Sequence, residues 1–154
     1  MLACNSGNVP TIKILIKNGA LLNLKDKFGK SALVYCVNRD RVEATKFLLV
    51  HQPEIDSLDK FEWTPLMWAV KKDYIEIIKL LVKYKADINH KDDDGTPIIQ
   101  YAVENKSVEV VKFLIDNGVD INVTDQYGLS PLVYALKTKN KAMVELIRSA
   151  GGEY

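Results

Sequence analysis

The 154-residue chain predicts an all-α repeat fold, a one-dimensional solenoid of helix pairs with projecting turns. Three observations carry that expectation. A period of 33 residues runs along the chain without gaps, seen first in Asp26, Asp59, Asp92 and Asp125. Within each period a turn-rich segment gives way to two apolar stretches at helical spacing. The second of these is apolar on nearly all sides, so it must be packed on both flanks, which stacking between neighbouring copies supplies.

The period holds at apolar, small and polar positions together. Asn23, Asp56, Asn89 and Asn122 share it, as do Leu33, Leu66, Ile99 and Leu132. Cys36, Ala69, Ala102 and Ala135 form a small-residue column, and Leu48, Leu81, Leu114 and Ile147 a large apolar one. Before Asp26, "TIKILIK" matches "IIKLLVK" and "GALLNLKD" matches "KADINHKD". The expected organisation is therefore one domain with a partial unit over 1–25 and full units over 26–58, 59–91, 92–124 and 125–154.

Element by element, "DKFEWTP" carries turn residues and a proline, and predicts an extended turn or hairpin loop leading into a helix whose first turn tolerates Pro65. A short helix follows to about Lys72. The second helix, Tyr74 to about Lys83, is polar only at Glu76 and Lys79 within its central turns. "DNGVDIN" then ends the corresponding helix of the next unit, with Gly118 suited to a left-handed C-terminal position. In the last unit Lys141 and Arg148 replace apolar residues, as a solvent-facing end requires. The first unit starts inside its first helix, so that edge is expected to meet further repeats, a partner or a second copy.

The period together with "WTPLMWAV", "DYIEIIKLLVKYKADIN" and "VEVVKFLIDNGVDIN" resembles the ankyrin repeat family over essentially the whole chain. The resemblance implies an ankyrin solenoid and a non-catalytic protein–protein interaction module, with turn tips and short helices lining a concave face. Departures from the family pattern are specific. Its Thr-Pro-Leu-His survives best as Thr64, Pro65, Leu66 and Met67, without the histidine. Its glycine between paired helices survives as Gly7, with Asp40, Asp73, Lys106 and Lys139 elsewhere. Thr96 and Pro97 come one position early, a local change at that turn. Asn23, Asn89 and Asn122 occupy positions that can be hydroxylated in the family.

Composition narrows the chemistry. The formal net charge of +1 recommends neither nucleic acid nor an anionic membrane. No apolar run reaches the roughly 18 residues of a membrane span. Cys4 and Cys36 lack the number and spacing of a disulfide framework or zinc site, which favours a reducing compartment, cytoplasmic with nuclear as the alternative. His51 and His90 lie about a repeat apart, and Asp92–Asp93–Asp94 lacks the alternating ligands of a calcium loop, so no catalytic site, metal or cofactor is expected.

Recognition remains. Apolar and aromatic residues at turn tips, Phe28, Phe61, Trp63, Tyr127 and Leu129, are either contacts or rings laid on neighbouring turns. Tyr35, Trp68, Tyr101 and Tyr134 form a second aromatic row, expected to stack from repeat to repeat, with Trp68 and Tyr101 as its contact candidates. Lys60, Lys71 and Lys72 add positive charge beside Phe61, Trp63 and Trp68. Net charge is +3 for 1–58, +2 for 59–91, −5 for 92–124 and +1 for 125–154. That asymmetry suits a partner bearing acidic and apolar residues, and the acidic unit interrupts any continuous basic track for nucleic acid. The competing reading is a structural spacer within a larger scaffold, channel or enzyme.

Overall fold

The computed structural model describes residues 1–154. It is all-helical, with ten helices and no strand beyond an isolated bridge between Lys91 and Pro97. In chain order these are α1 (Leu2–Ser6), α2 (Val9–Lys17), α3 (Ala32–Asn38), α4 (Val42–Leu49), α5 (Pro65–Lys71), α6 (Ile75–Lys83), α7 (Ile98–Glu104), α8 (Val108–Asp116), α9 (Pro131–Thr138) and α10 (Lys141–Ser149). They fall into two compact units, residues 1–86 and 87–154.

In the first unit the short helices α1, α3 and α5 pack in series and the longer α2, α4 and α6 form a second series behind them. The same two layers recur in the second unit, where α7 packs on α9 and α8 on α10. The periodic apolar columns are the core: Leu33, Leu66, Leu48 and Leu81 are fully buried in the first unit, Ile99, Leu132, Leu114 and Ile147 in the second. Cys36, Ala69, Ala102 and Ala135 are buried too, and small residues there let the short helices approach closely. Cys4 and Cys36 are unpaired and buried.

Local chemistry sets the helix ends. Thr64 caps α5 by accepting from Met67 N–H at 3.2 Å, and Pro65 fills the first helical position, where no N–H is needed. The early Thr96–Pro97 leaves proline at the cap of α7, which has no side-chain cap bond. That is the structural consequence of the departure at this turn.

Each period bends through three left-handed positions. Between paired helices these are Gly7, Asp40, Asp73, Lys106 and Lys139. After the second helix they are Gly19, Gln52, Lys85, Gly118 and Gly151, and at the turn tip Gly29, Glu62, Gly95 and Gly128. Gly118, with φ of 85°, adopts the conformation its place predicts. Successive loops are tied together by side chains. Asn23 accepts from Glu54 N–H at 2.9 Å, Asn89 from Asp120 N–H and Asn122 from Glu153 N–H, both at 2.8 Å. Lys25 donates to the Leu58 carbonyl and Lys91 to that of Thr124, again one period ahead.

Candidate binding surface

Every turn is held by one aspartate. Asp26 Oδ1 accepts the backbone N–H groups of Phe28 and Lys30, at 2.8 and 2.9 Å. Asp59 does the same for Phe61 and Trp63, Asp92 for Asp94 and Thr96, and Asp125 for Tyr127 and Leu129. The second oxygen of each carboxylate accepts from the aromatic residue nine positions on. Tyr35 hydroxyl donates to Asp26 at 2.7 Å, Trp68 Nε1 to Asp59 at 3.0 Å, Tyr101 hydroxyl to Asp92 and Tyr134 hydroxyl to Asp125 at 2.5 Å. One carboxylate thus closes the turn and ties it to the short helix that follows.

In the Asp26–Tyr35 and Asp125–Tyr134 pairs the bond shifts both partners. The Tyr35 hydroxyl holds Asp26 below its ordinary value; burial opposes it, and the two turn N–H groups and the Lys30 charge add to the lowering. At Asp125 burial pushes upward, but Tyr134, the turn N–H groups and Lys137 together bring the carboxyl down. Tyr134 is pushed up to about 12, chiefly by its bond to Asp125. Burial first, then Asp92, raises Tyr101.

The aromatic row is therefore turned toward its own aspartates, and its hydroxyl and indole donors are engaged within their repeats. In the first unit Trp68 meets Trp63, with ring centroids 4.9 Å apart and planes tilted by 55°, rather than stacking on Tyr35. Lys30 Nζ lies 4.2 Å from the Trp68 ring centroid. The turn tips beside this pair are cationic as well. Lys60 Nζ sits 4.6 Å from Phe61 and 5.2 Å from Phe28, and Lys27 Nζ 5.0 Å from Phe28. A backbone bond from Lys60 N–H to the Phe28 carbonyl, at 3.1 Å, joins the two tips. Phe28 and Phe61 remain 42% and 47% exposed. Lys71 and Lys72 are exposed at the opposite end of α5, about 10 Å along the helix from Thr64 by its rise per residue.

In the second unit the candidates separate. Tyr127 is 75% exposed at its tip and Leu129 is half-buried, whereas Tyr101 is buried. Lys137 Nζ covers the Tyr134 ring at 4.7 Å. Asp93 and Asp94 are exposed at the preceding tip. No group of three or more His, Cys, Asp or Glu is placed to hold a metal ion.

Two features of this surface escape sequence reasoning that treats residues singly. The aspartate clamp has a readable signal, an acidic residue followed nine positions later by Tyr or Trp in each of the four periods. The approach of Lys30 to Trp68 and of Lys60 to Phe28 has none, because it depends on the tip of one turn lying against the next.

Stacked helix pairs with clamped turns define a helix-pair repeat protein whose variable side chains are carried on tips and short helices. The chain belongs to the ankyrin repeat family: the family model described as "Ankyrin repeats (3 copies)" matches residues 1–92 and 86–154. No curated protein matches it. Ankyrin repeats are generally protein-interaction modules and typically non-catalytic. No helix is long and apolar enough to cross a membrane.

Proposed function

We propose that the chain is a non-catalytic protein-binding module, four full repeats after a partial one, that reads a protein or peptide segment carrying acidic and apolar residues. The contact surface is the turn-tip cluster of the first unit: Phe28, Phe61 and Trp63 as anchors, Trp68 as the ring behind Trp63, and Lys60 with its neighbours as the cationic frame. The observation that carries this reading is the set of lysine ammonium groups held over half-exposed aromatic rings. Such rings offer flat apolar area to a partner, and the ammonium groups beside them attract carboxylates while excluding basic competitors. Lys71 and Lys72 add to the field and act on encounter rate more than on the docked contact.

Residues 1–86 carry 14 Lys and Arg against nine Asp and Glu, a net +5, which supports an acidic partner. Residues 87–154 carry seven against 11, a net −4. Within residues 87–154, Tyr127 and Leu129 offer a contact tip of their own. The unpaired Cys4 and Cys36 support a working place in the reducing cytoplasm.

Affinity capture with quantitative mass spectrometry tests this. Phe28→Ala, Phe61→Ala and Trp63→Ala combined should lose the acidic partners that the parent chain retains, with unchanged helical circular dichroism. Retention of the same partners at the same occupancy would remove the cluster as the contact surface.

A further inference from the structure

The tripeptide Asp-Lys-Phe occupies 26–28 and again 59–61, whereas the same positions hold Asp92, Asp93 and Asp94 in the third full unit and Asp125, Gln126 and Tyr127 in the fourth. Only the aspartate is needed to close the turn, where it accepts two backbone N–H groups. The fold therefore requires neither lysine nor phenylalanine at these tips. The structure nevertheless brings the two Lys-Phe pairs together. Lys60 N–H donates to the Phe28 carbonyl at 3.1 Å, and the Phe28 ring centroid lies 5.0 Å from Lys27 Nζ and 5.2 Å from Lys60 Nζ. Lys60 Nζ is also 4.6 Å from the centroid of Phe61.

Two ammonium groups thus share one half-exposed ring, and neither of them is in an ion pair. The nearest acids in sequence are already engaged. Asp26 and Asp59 each give one oxygen to the turn N–H groups and the other to Tyr35 or Trp68. Each ammonium carries three N–H donors, so the paired tips present a concentration of donors and positive charge with no acceptor of this chain upon it.

We infer that the paired tips receive a phosphorylated tyrosine side chain of the partner, with its phosphoryl group between Lys27 and Lys60 and its ring against Phe28 and Phe61. The inference rests on the tip cluster being the contact surface, and it names what the partner presents there. A carboxylate brings one charge and two oxygens, whereas a phosphoryl group brings about −1.5 to −2 charges and three strong acceptors, enough for two ammonium groups at once. The flexible four-carbon stems of the lysines let both swing onto one dianion. The two half-exposed phenylalanines are matched by a ring carried directly below the phosphoryl group. Phosphoserine would hold the dianion close to its own backbone and leave both rings uncovered.

The test passes four peptide libraries over the immobilised chain, with identical degenerate flanks and a fixed central phosphotyrosine, phosphoserine, tyrosine or glutamate. Amide chemical shifts of Phe28, Lys60 and Phe61 on adding each retained pool locate what binds. Phosphotyrosine should be retained roughly tenfold or more over tyrosine and glutamate, and about threefold or more over phosphoserine. K27Q combined with K60Q should cut the preference over tyrosine to about twofold or less, with helical circular dichroism unchanged. Equal retention of all four libraries, with shifts at the tips, would overturn this inference alone and leave the acidic and apolar partner standing. Phosphoserine retained as well as phosphotyrosine would overturn it too, as would a preference that survives K27Q with K60Q. Absence of shifts at the tips with every library would overturn both this inference and the contact surface on which it rests.

Discussion

The two tryptophans of this chain do different physical work. Trp68 spends its indole N–H on Asp59, as tyrosines do on the aspartates of the other repeats, so its place in the row is explained by turn closure. Trp63 has its backbone N–H in the same clamp, but its ring is a tip substituent, aligned with lysine, threonine and leucine in other units. Removing a clamp hydroxyl should therefore cost stability in proportion to burial. Tyr101→Phe leaves a buried Asp92 oxygen without its aromatic donor and should destabilise by about 1–2 kcal/mol in urea unfolding, allowing for nearby water. Tyr35→Phe, at the half-buried Asp26, should cost less. The clamp is also pH-dependent in a defined direction. Asp125, lowered from 3.8 when folded, contributes stability that is present above that value and lost as pH falls through the lower folded one. Tyr134, raised from 10.0 to about 12, contributes fully below pH 10 and loses its contribution as pH rises toward 12. Asp125→Asn should bring the phenolate absorbance transition of Tyr134 back toward its ordinary value. An unmoved transition would mean that the hydrogen bond is not the cause.

Helices were the most legible elements, because apolar residues at helical spacing leave few alternatives. The second helix of the 59–91 unit begins at Ile75, one residue inside the sequence reading, since Tyr74 serves as its cap. Bends between helices were harder to read. A left-handed residue normally betrays itself as glycine, but Asp40, Asp73, Lys106 and Lys139 occupy that conformation here. Only Gly7, one period earlier, shows what the position asks of the backbone. Lysine has no local hydrogen bond to soften this geometry, so Lys106→Gly and Lys139→Gly should each stabilise by up to about 1 kcal/mol, measured by thermal or urea unfolding. Gly29 shows the opposite case. A Cβ there would stand 2.9 Å from both Asp59 Cα and Lys60 N, so Gly29→Ala must push two turns apart as well as strain its own φ of 76°. It should destabilise by more than the roughly 1–2 kcal/mol of left-handed strain alone and should disturb the Lys60 contacts with Phe28 and Phe61.

At the scale of the molecule, the repeat period and the charge imbalance could be counted along the sequence. The division at residues 86 and 87 could not, because the 33-residue period passes through it without a change in pattern. The reach of Lys30 to Trp68 and of Lys60 to Phe28 was equally hidden, since each is made between turns that lie a full period apart. With +5 on residues 1–86, association with an acidic partner should weaken as salt rises, mainly through a slower on-rate, and Lys60→Glu should flatten that dependence. Stopped-flow binding at several ionic strengths checks both statements. The most direct measurement replaces Trp63 with a photo-crosslinking phenylalanine analogue in cells and identifies the captured peptides by mass spectrometry. The account predicts capture of segments rich in acidic and apolar residues, reduced by Lys60→Glu and absent when the same probe replaces exposed Val50 in the 26–58 unit. Capture at position 50 but not at position 63, or capture indifferent to Lys60→Glu, would contradict it.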